Sequence, residues 1–461
     1  MLLSLVLGCK DKDPVDKHTD PPLSTIEAFT EAVEKDGNTV AEGFLTFANY
    51  EGCCDPDITC FGNNPDTPYG TYAIPRIHGE EPVDDVFTTW GELEDPTQTR
   101  TYRLREDEAL VFIGQTPPAA RYLSIRSYLP LRPEPDGSLK TVLASLGPSL
   151  NNLVIADRSS AEEMWDQPLV VVTTADASVE RRMHELLEEA GFDADSIHDD
   201  RITHEVVNMG LDADADTFFM LWRVAMDDDP AAGQAFRDNP EGAVFRVTPK
   251  EERPAQEPHP WPDLLPLGTG SGEEAWQDAA DALEAAIVAA YPESAPIILA
   301  GQTVEYPRTL ECIEEEDGCK TDLRDRYSAL APYFSLDLDT DFAVVFGVNH
   351  ARTGKAMYAN FALIDEAHQF GFAGVNSDEM VGSARHYLPD EPLVDDLYAY
   401  MVTRDCSGRA EPCIEVPTTC PGVPIGDQMR LTFRAYLEPA TGAAPLPAEL
   451  VPDKIARFWA L

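Results

Sequence analysis

Basic residues are scarce in this sequence. Lys and Arg together number 34 against 83 Asp and Glu, a formal net charge of -49, and only nine of the basic residues are Lys. A surface of that sign repels a phosphate backbone before contact, which excludes nucleic acid as a partner. Long apolar runs are also lacking, so no segment reads as a helix crossing a bilayer. The sequence has no C-x2-C pair of the kind structural zinc sites use, no G-x-S-x-G elbow, and no Gly-Lys-Ser/Thr phosphate loop. Gly268-Thr-Gly-Ser-Gly272 has the glycines of such a loop without its Lys.

What is present is sufficient for packed cores. Hydrophobic residues make up 43% of the chain and aromatics 9%, and 461 residues correspond to two or three domains. Two readings of the acidity follow: a solvated surface adapted to salt, or one that gathers cations such as calcium.

The chain starts with a short oily run, Leu2 to Leu7, then Gly8 and Cys9, then Lys10-Asp-Lys-Asp13. Val6-Leu7-Gly8-Cys9 resembles the lipobox of bacterial lipoproteins, in which the cysteine after a small residue is acylated and becomes the mature N-terminus. It departs from that pattern in having no Lys or Arg ahead of a rather short apolar run. The resemblance implies a signal over residues 1–9, lipidation at Cys9, and a cell-envelope location facing the periplasm or the exterior. Membrane contact would then be through the lipid alone. Residues 10–23, with Pro14, Pro21 and Pro22, read as an extended tether. Beyond Cys9, eight cysteines remain: Cys53, Cys54, Cys60, Cys312, Cys319, Cys406, Cys413 and Cys420. An even number in local clusters points to disulfides in an oxidising compartment. Cys312 with Cys319 is the first expected pair, followed by one within Cys406, Cys413 and Cys420.

The fold class expected is α+β, dominated by sheet, with two β-rich, sandwich-like domains and peripheral helices. The first spans 24–248 and the second 274–461. Between them 249–273 is rich in proline and reads as a linker. Alternating or continuous apolar runs predict strands at 109–114, 121–129, 169–174, 218–226, 342–349, 355–364, 397–404 and 429–437. A helix over 179–190, closed by Gly191 and followed by a strand at 202–207, suggests one βαβ-like unit. Glu274 to Tyr291 reads as a helix, and a final helix is expected from Pro447 to Ala460.

Several stretches imitate functional motifs and break at a required position. Asp212-Ala-Asp-Ala-Asp216 starts like a calcium loop, but Thr217 stands where Gly is needed and Arg223 where Glu is needed. His204-Glu-Val-Val-Asn208 ends in Asn where a zinc protease has its second His. His368 and His386 could join His350 as metal ligands only if the fold converged them, and no metal site is assigned.

Two constellations remain. Asn64-Pro-Asp66-Thr-Pro-Tyr69-Gly70, with Arg121-Tyr-Leu-Ser124 downstream, is similar to the Asn-x-Asp-Thr-x-Tyr and Arg-Tyr-strand pattern of a sheet-rich bacterial envelope family of unknown function. The similarity covers about residues 60 to 130 and implies export and a β-rich fold. By its own chemistry the stretch is a stiff capped turn, with Asn64, Asp66, Tyr69 and Arg121 as candidate ligand-binding residues. The second constellation, Val345 to Asn360, reads as a hairpin whose tip gathers Asn349, His350, Arg352 and Lys355. Such a tip could hold an anionic or carbonyl group, with His350, Lys355 and Tyr358 as catalytic candidates.

The leading expectation is an exported, lipid-anchored binding module for a small ligand, polymer or envelope protein. The alternative is an extracytoplasmic hydrolase, lyase or metal-dependent enzyme built on His350, Lys355 and Tyr358. A purely structural envelope component is third. No cofactor is indicated.

Overall fold

The structure is a computed structural model that describes residues 23–55, 60, 62–84, 86, 90–156, 164–304, 312–314, 319 and 324–459. Cys9 and residues 10–22 of the tether lie outside the described residues. The protein is a sheet-rich α+β fold in which a large sheet curls into a half-barrel and two five-stranded sheets stand beside it.

The large sheet runs in the order Leu139–Ser145, Ala120–Pro133, Phe219–Asp227, Tyr69–Pro75, Asn38–Phe47, Gly242–Pro249, Ala109–Gln115, Pro168–Thr174, Ile197–Arg201, with two short strands paired alongside. Ala109–Gln115 is apolar along nearly its whole length because both its faces are covered. Leu110 and Phe112 point into the half-barrel core with Tyr72, Ile125, Val171 and Trp222. Val111 and Ile113 point outward to Phe29, Val33, Leu186 and Leu187 of the helices Leu23–Lys35 and Ala177–Ala190. Asp176 caps the second helix by accepting from Ser178 N at 2.7 Å, and Gly191, at φ 101°, ends it.

That helix leads into Ile197–Arg201, which pairs parallel with Pro168–Thr174 and completes the βαβ unit. The strand therefore lies ahead of the expected 202–207, where the chain instead makes a short turn at His204–Val206. Ile-His-Asp-Asp-Arg lacks a strand-like apolar pattern because one of its inward positions holds a carboxylate. Asp200 is buried and accepts from Arg126 Nη1 at 2.7 Å.

In the second half, one sheet has the order Ile297–Ala300, Lys454–Phe458, Phe342–Val348, Leu397–Thr403, Cys413–Glu415, and the other Gln302–Thr303, Arg326–Leu330, Met429–Tyr436, Tyr358–Asp365, Phe370–Asn376. They face each other across a core of Val345, Phe361, Tyr398, Val402, Leu431, Phe433 and Ile455. The helix Gln277–Ala290 covers the outer face of the first through Leu283 and Ile287.

Two expectations are corrected here. The 447–460 segment is a three-residue turn followed by the strand Lys454–Phe458, paired on both sides, and not a helix. Pro452 lacks the amide a helix would need there and pushes Val451 to extended backbone. Val345 to Asn360 is no hairpin either, since Phe342–Val348 and Tyr358–Asp365 belong to different sheets. The residues between them form a crossing, held where Asn349 N donates to Asp396 O at 2.8 Å and Met357 N to Tyr436 O at 3.0 Å.

Residues 250–273 contain no helix or strand but are bonded along their length. His259 N donates to Ala175 O at 2.9 Å in the first half, while Gly268 N reaches Ala444 O at 3.3 Å and Glu273 N reaches Glu449 O at 2.9 Å in the second.

The disulfides are Cys53–Cys60, Cys54–Cys420, Cys312–Cys319 and Cys406–Cys413. Both expected local pairs are present, and Cys54–Cys420 joins the two halves. Four disulfides indicate an oxidising, extracytoplasmic location. Among the described residues no helix is long and apolar enough to cross a membrane.

Candidate functional site at the junction of the sheets

The loop bearing Asn64 is built to meet the second half of the chain. Cys53–Cys60 closes it at one end, and Gly62 N then donates to Gln369 O at 2.6 Å while Gly371 N donates to Asn63 Oδ1 at 2.8 Å. The backbone approach at Gly371 demands glycine, and glycine at 374 leaves room for the Asp66 side chain. A Cβ on Gly371 would lie 2.3 Å from Asn63 O, and one on Gly374 would lie 2.0 Å from Asp66 Oδ2.

Asn64 is fully buried and uses both ends of its amide. Its Nδ2 donates to Thr67 Oγ1 at 2.7 Å and Tyr358 Oη at 3.0 Å, and its Oδ1 accepts from Asn360 Nδ2 at 2.7 Å. Tyr69 Oη accepts from Asn64 N at 3.2 Å, and Tyr358 Oη donates to Asn376 Oδ1 at 3.0 Å. Asp66 beside it is pushed up to about 6 by burial and by the nearby Glu379 carboxylate, with Asn360 and Arg434 opposing.

Strand register shows what else faces this loop. Tyr358 lies opposite Tyr436 and Asn360 opposite Arg434, while Arg326 lies opposite Tyr436 and Ser328 opposite Arg434, so these six side chains share one face. On the large sheet Arg223 lies opposite Tyr69 and Ser124, and Ala225 opposite Tyr122. The two faces meet: the Tyr122 and Tyr436 ring centroids are 4.8 Å apart, and those of Tyr358 and Tyr436 5.0 Å. The Arg223 guanidinium lies 5.6 Å from the Tyr69 ring centroid and 5.3 Å from that of Tyr128. Asp325, fully enclosed, accepts from Tyr122 Oη and Asn151 Nδ2, both at 3.3 Å, and from Ser149. Burial pushes its carboxyl up to about 6 against those donors and the more distant Arg223.

The junction also concentrates unsatisfied and strained groups. Tyr50 Oη, Asp66 Oδ2, Arg223 Nε, Ser328 Oγ, Asn360 Oδ1, Arg434 Nη1 and Tyr436 Oη are buried without a hydrogen-bond partner. Each such atom left unpaired costs about 1–3 kcal/mol, and a group of them in one place calls for a partner such as water, an ion or a ligand. Tyr50, Met226 and Leu437 have φ of 55°, 59° and 53°, a region that bulky side chains avoid. Met226 and Leu437 both pack in the cluster around Tyr122, Tyr358 and Tyr436.

Of the residues singled out in the sequence, Asn64, Asp66, Tyr69 and Tyr358 come together here. His350 and Lys355 lie apart from them, each enclosed by carboxylates. His350 Nδ1 is 2.9 Å from both Glu273 oxygens, and its Nε2 is 3.4 Å from Asp453. Burial works to hold its pKa down, but the two carboxylates push it up to about 10. Lys355 Nζ meets Glu438 and Glu449 and donates to Ser271 O at 2.8 Å. The glycine-rich stretch wraps the same carboxylate: Gly270 N donates to Glu449 at 2.6 Å and Thr269 N at 3.1 Å. Asn349 donates to Ser377 O at 2.7 Å, and half-exposed Arg352 lies 3.4 Å from Asp396. Arg121, also half-exposed, reaches only Asp378 at 3.6 Å and Asp228 at 3.9 Å.

Arg223, Asn360, Arg434, Tyr436 and Asp325 were not singled out. Arg223 carried a signal, a lone charge within Phe-Phe-Met-Leu-Trp-Arg-Val-Ala-Met. The others sit in ordinary alternation or in a loop and carried none.

No protein-family model and no curated protein matches the sequence. Several solved chains are distantly similar, two of them as follows. One is an uncharacterized protein from Burkholderia cenocepacia, 13% identical with a TM-score of 0.39 over 96% of this chain and 91% of that one. The other is the VPA0106 protein of Vibrio parahaemolyticus, 9% identical with a TM-score of 0.37 over 94% and 97%.

Proposed function

We propose that the protein is an extracytoplasmic ligand-binding module, held at a membrane by acyl chains on Cys9, with its binding site at the junction between the half-barrel and the sheet containing Tyr358. The observation carrying this reading is the cluster of buried polar atoms without partners around Asn64, Tyr358, Asn360, Arg434 and Tyr436. A cluster of that kind is costly to maintain unless something external satisfies it. Catalysis at His350 is the weaker reading, because an imidazole clamped between Glu273 and Asp453 stays protonated near neutrality and has no free lone pair with which to act as a base. Lys355 is similarly engaged by two carboxylates.

Tyr436→Phe provides the test. Its hydroxyl has no hydrogen-bond partner among the described residues, so removing it leaves the melting temperature of the protein alone unchanged or raised. Thermal-shift screening of the disulfide-bonded protein against neutral, cationic and anionic small molecules should find a chemical class that raises Tm in the wild type and less in Tyr436→Phe. A screen in which no class separates the two proteins would overturn the site. Mass analysis of the mature N-terminus decides the anchor: an acylated cysteine supports it, and an unprocessed Met1 removes it.

A further inference from the structure

Several buried or part-buried arginines in this protein are matched to carboxylates or to a set of carbonyls. Arg126 pairs with Asp200 at 2.7 Å, Arg132 with Asp216 at 2.8 Å, and Arg246 with Glu108 at 2.9 Å and Glu80 at 2.5 Å. Arg404 has no carboxylate but donates to the carbonyls of Leu336, Val416, Pro417, Val423 and Pro424. In a chain with 83 acidic residues, a carboxylate is the partner most readily supplied.

Arg223 and Arg434 differ from these in having neither a paired carboxylate nor several carbonyls, although a buried Nε without an acceptor occurs at Arg126 too. Arg223 is 2% exposed; its Nη1 donates to Tyr128 Oη at 2.9 Å, and among the described residues its Nε has no acceptor and no carboxylate pairs with it. Arg434 is 3% exposed; its Nη2 donates to Gly62 O at 3.1 Å, its Nη1 has no acceptor, and it too lacks an ion pair. Both belong to the same junction. Arg223 lies over the ring of Tyr69, whose hydroxyl meets the Asn64 loop, and Arg434 stands opposite Asn360, which bonds Asn64 from the other side. The carboxyls nearest in effect, Asp325 for Arg223 and Asp66 for Arg434, are raised to about 6, and among the described residues neither forms an ion pair with a guanidinium.

Building on the junction as a ligand site, we propose that the ligand is a small organic acid, its carboxylate received by Arg223 and Arg434 and its apolar body set against the rings of Tyr122, Tyr358 and Tyr436. A guanidinium offers a planar fork of donors that matches a carboxylate, and burial excludes the water that would compete for it. The tyrosine rings supply flat apolar surface with hydroxyls at the edges.

The test is isothermal titration of the full disulfide-bonded chain with benzoate, phthalate and succinate, with benzamide and succinamide as neutral counterparts and inorganic phosphate as a second anion. At least one acid should bind tenfold or more tightly than its amide, and Arg223→Gln should weaken that binding at least tenfold. Arg434→Lys keeps the charge, loses the fork, and should weaken binding as well, which keeps the test open if Arg223→Gln fails to fold. Amides that bind as well as acids would overturn the anionic ligand, and loss of that binding in Tyr436→Phe would leave the junction as a site. Phosphate binding without any carboxylate would overturn the organic acid, as would acids binding equally to wild type and both arginine variants. Failure of every compound would also overturn it.

Discussion

Asn64 donates to the phenol oxygen of Tyr358 at 3.0 Å across 294 residues of sequence, and neither side chain is exposed to solvent. The bond ties a loop of the first half to an interior strand of the second. Truncating Asn64 to Ala removes acceptors or donors from Thr67, Tyr358 and Asn360 together. The expected loss is about 2–4 kcal/mol, because buried groups left without partners cost more than the bonds gained in folding. Tyr358→Phe should cost about 1–2 kcal/mol. Urea unfolding of the single and double variants should give a coupling of about 1 kcal/mol. Additive losses would mean that the two side chains are not energetically joined.

Asp325 makes stability depend on pH with a definite sign. Its carboxyl is raised to about 6 in the folded protein by burial, above the value of an exposed aspartate. The folded state therefore binds the proton more tightly, so the stability tied to this group is full below its unfolded pKa and declines as pH rises through 6. Asp325→Asn, which cannot ionise, should raise stability at pH 7.5 by on the order of 2 kcal/mol and have little effect at pH 4. Tyr122, Ser149 and Asn151 keep an amide oxygen to donate to. Chemical denaturation at the two pH values measures the difference, and a gain that persists at pH 4 would contradict the assignment.

His350 acts over a different window. Glu273 and Asp453 raise its pKa to about 10, so its contribution is full below the ordinary histidine value near 6.5 and is lost as pH climbs through 10. His350→Gln leaves both carboxylates without their cation and should cost about 3–5 kcal/mol at pH 6. The gap between variant and wild type should narrow as pH rises from about 6.5 towards 10 and then level off. A constant gap from pH 6 to 10.5 would show that the imidazole is held uncharged.

Much of this architecture can be read along the chain, and what cannot has identifiable causes. The strands Phe342–Val348, Leu397–Thr403 and Met429–Tyr436 lie within a residue or so of their apolar patterns, since burial on a pleated surface writes a period of two directly into sequence. Ile197–Arg201 does not, because Asp200 occupies an inward position as counter-charge to Arg126, and polarity then looks like loop. The 345–360 stretch has the alternation of a hairpin, and alternation is local, whereas choosing between two sheets depends on partners far along the chain. The same limit hid most of the site. Asn64 and Tyr69 stand in a recognisable turn, but Asn360, Arg434 and Tyr436 gain meaning only from the register that sets them opposite that turn. His350 and Lys355 drew notice as cations in an acidic chain, and their carboxylates, Glu273, Glu438, Glu449 and Asp453, come from distant segments.

The Cys54–Cys420 bridge should matter to the site as well as to stability. It closes a sequence separation of 366 residues, against 7 for each of the other three disulfides. On chain entropy alone the longer loop is worth about 3 kcal/mol more. Cys54→Ser with Cys420→Ser should therefore lower the thermal midpoint more than Cys406→Ser with Cys413→Ser, whose bridge spans only the connection leading into the strand Cys413–Glu415. The Cys54 turn adjoins the segment that Cys53–Cys60 closes ahead of Asn64, so releasing it also loosens the contact of Asn64 with Tyr358 and Asn360. Amide hydrogen exchange offers the local readout: residues 62–71 and 358–362 should lose protection together in the Cys54/Cys420 variant and keep it in the Cys406/Cys413 variant. Equal protection in both would mean that the junction is held by its own hydrogen bonds and rings, with the bridge contributing only to global stability.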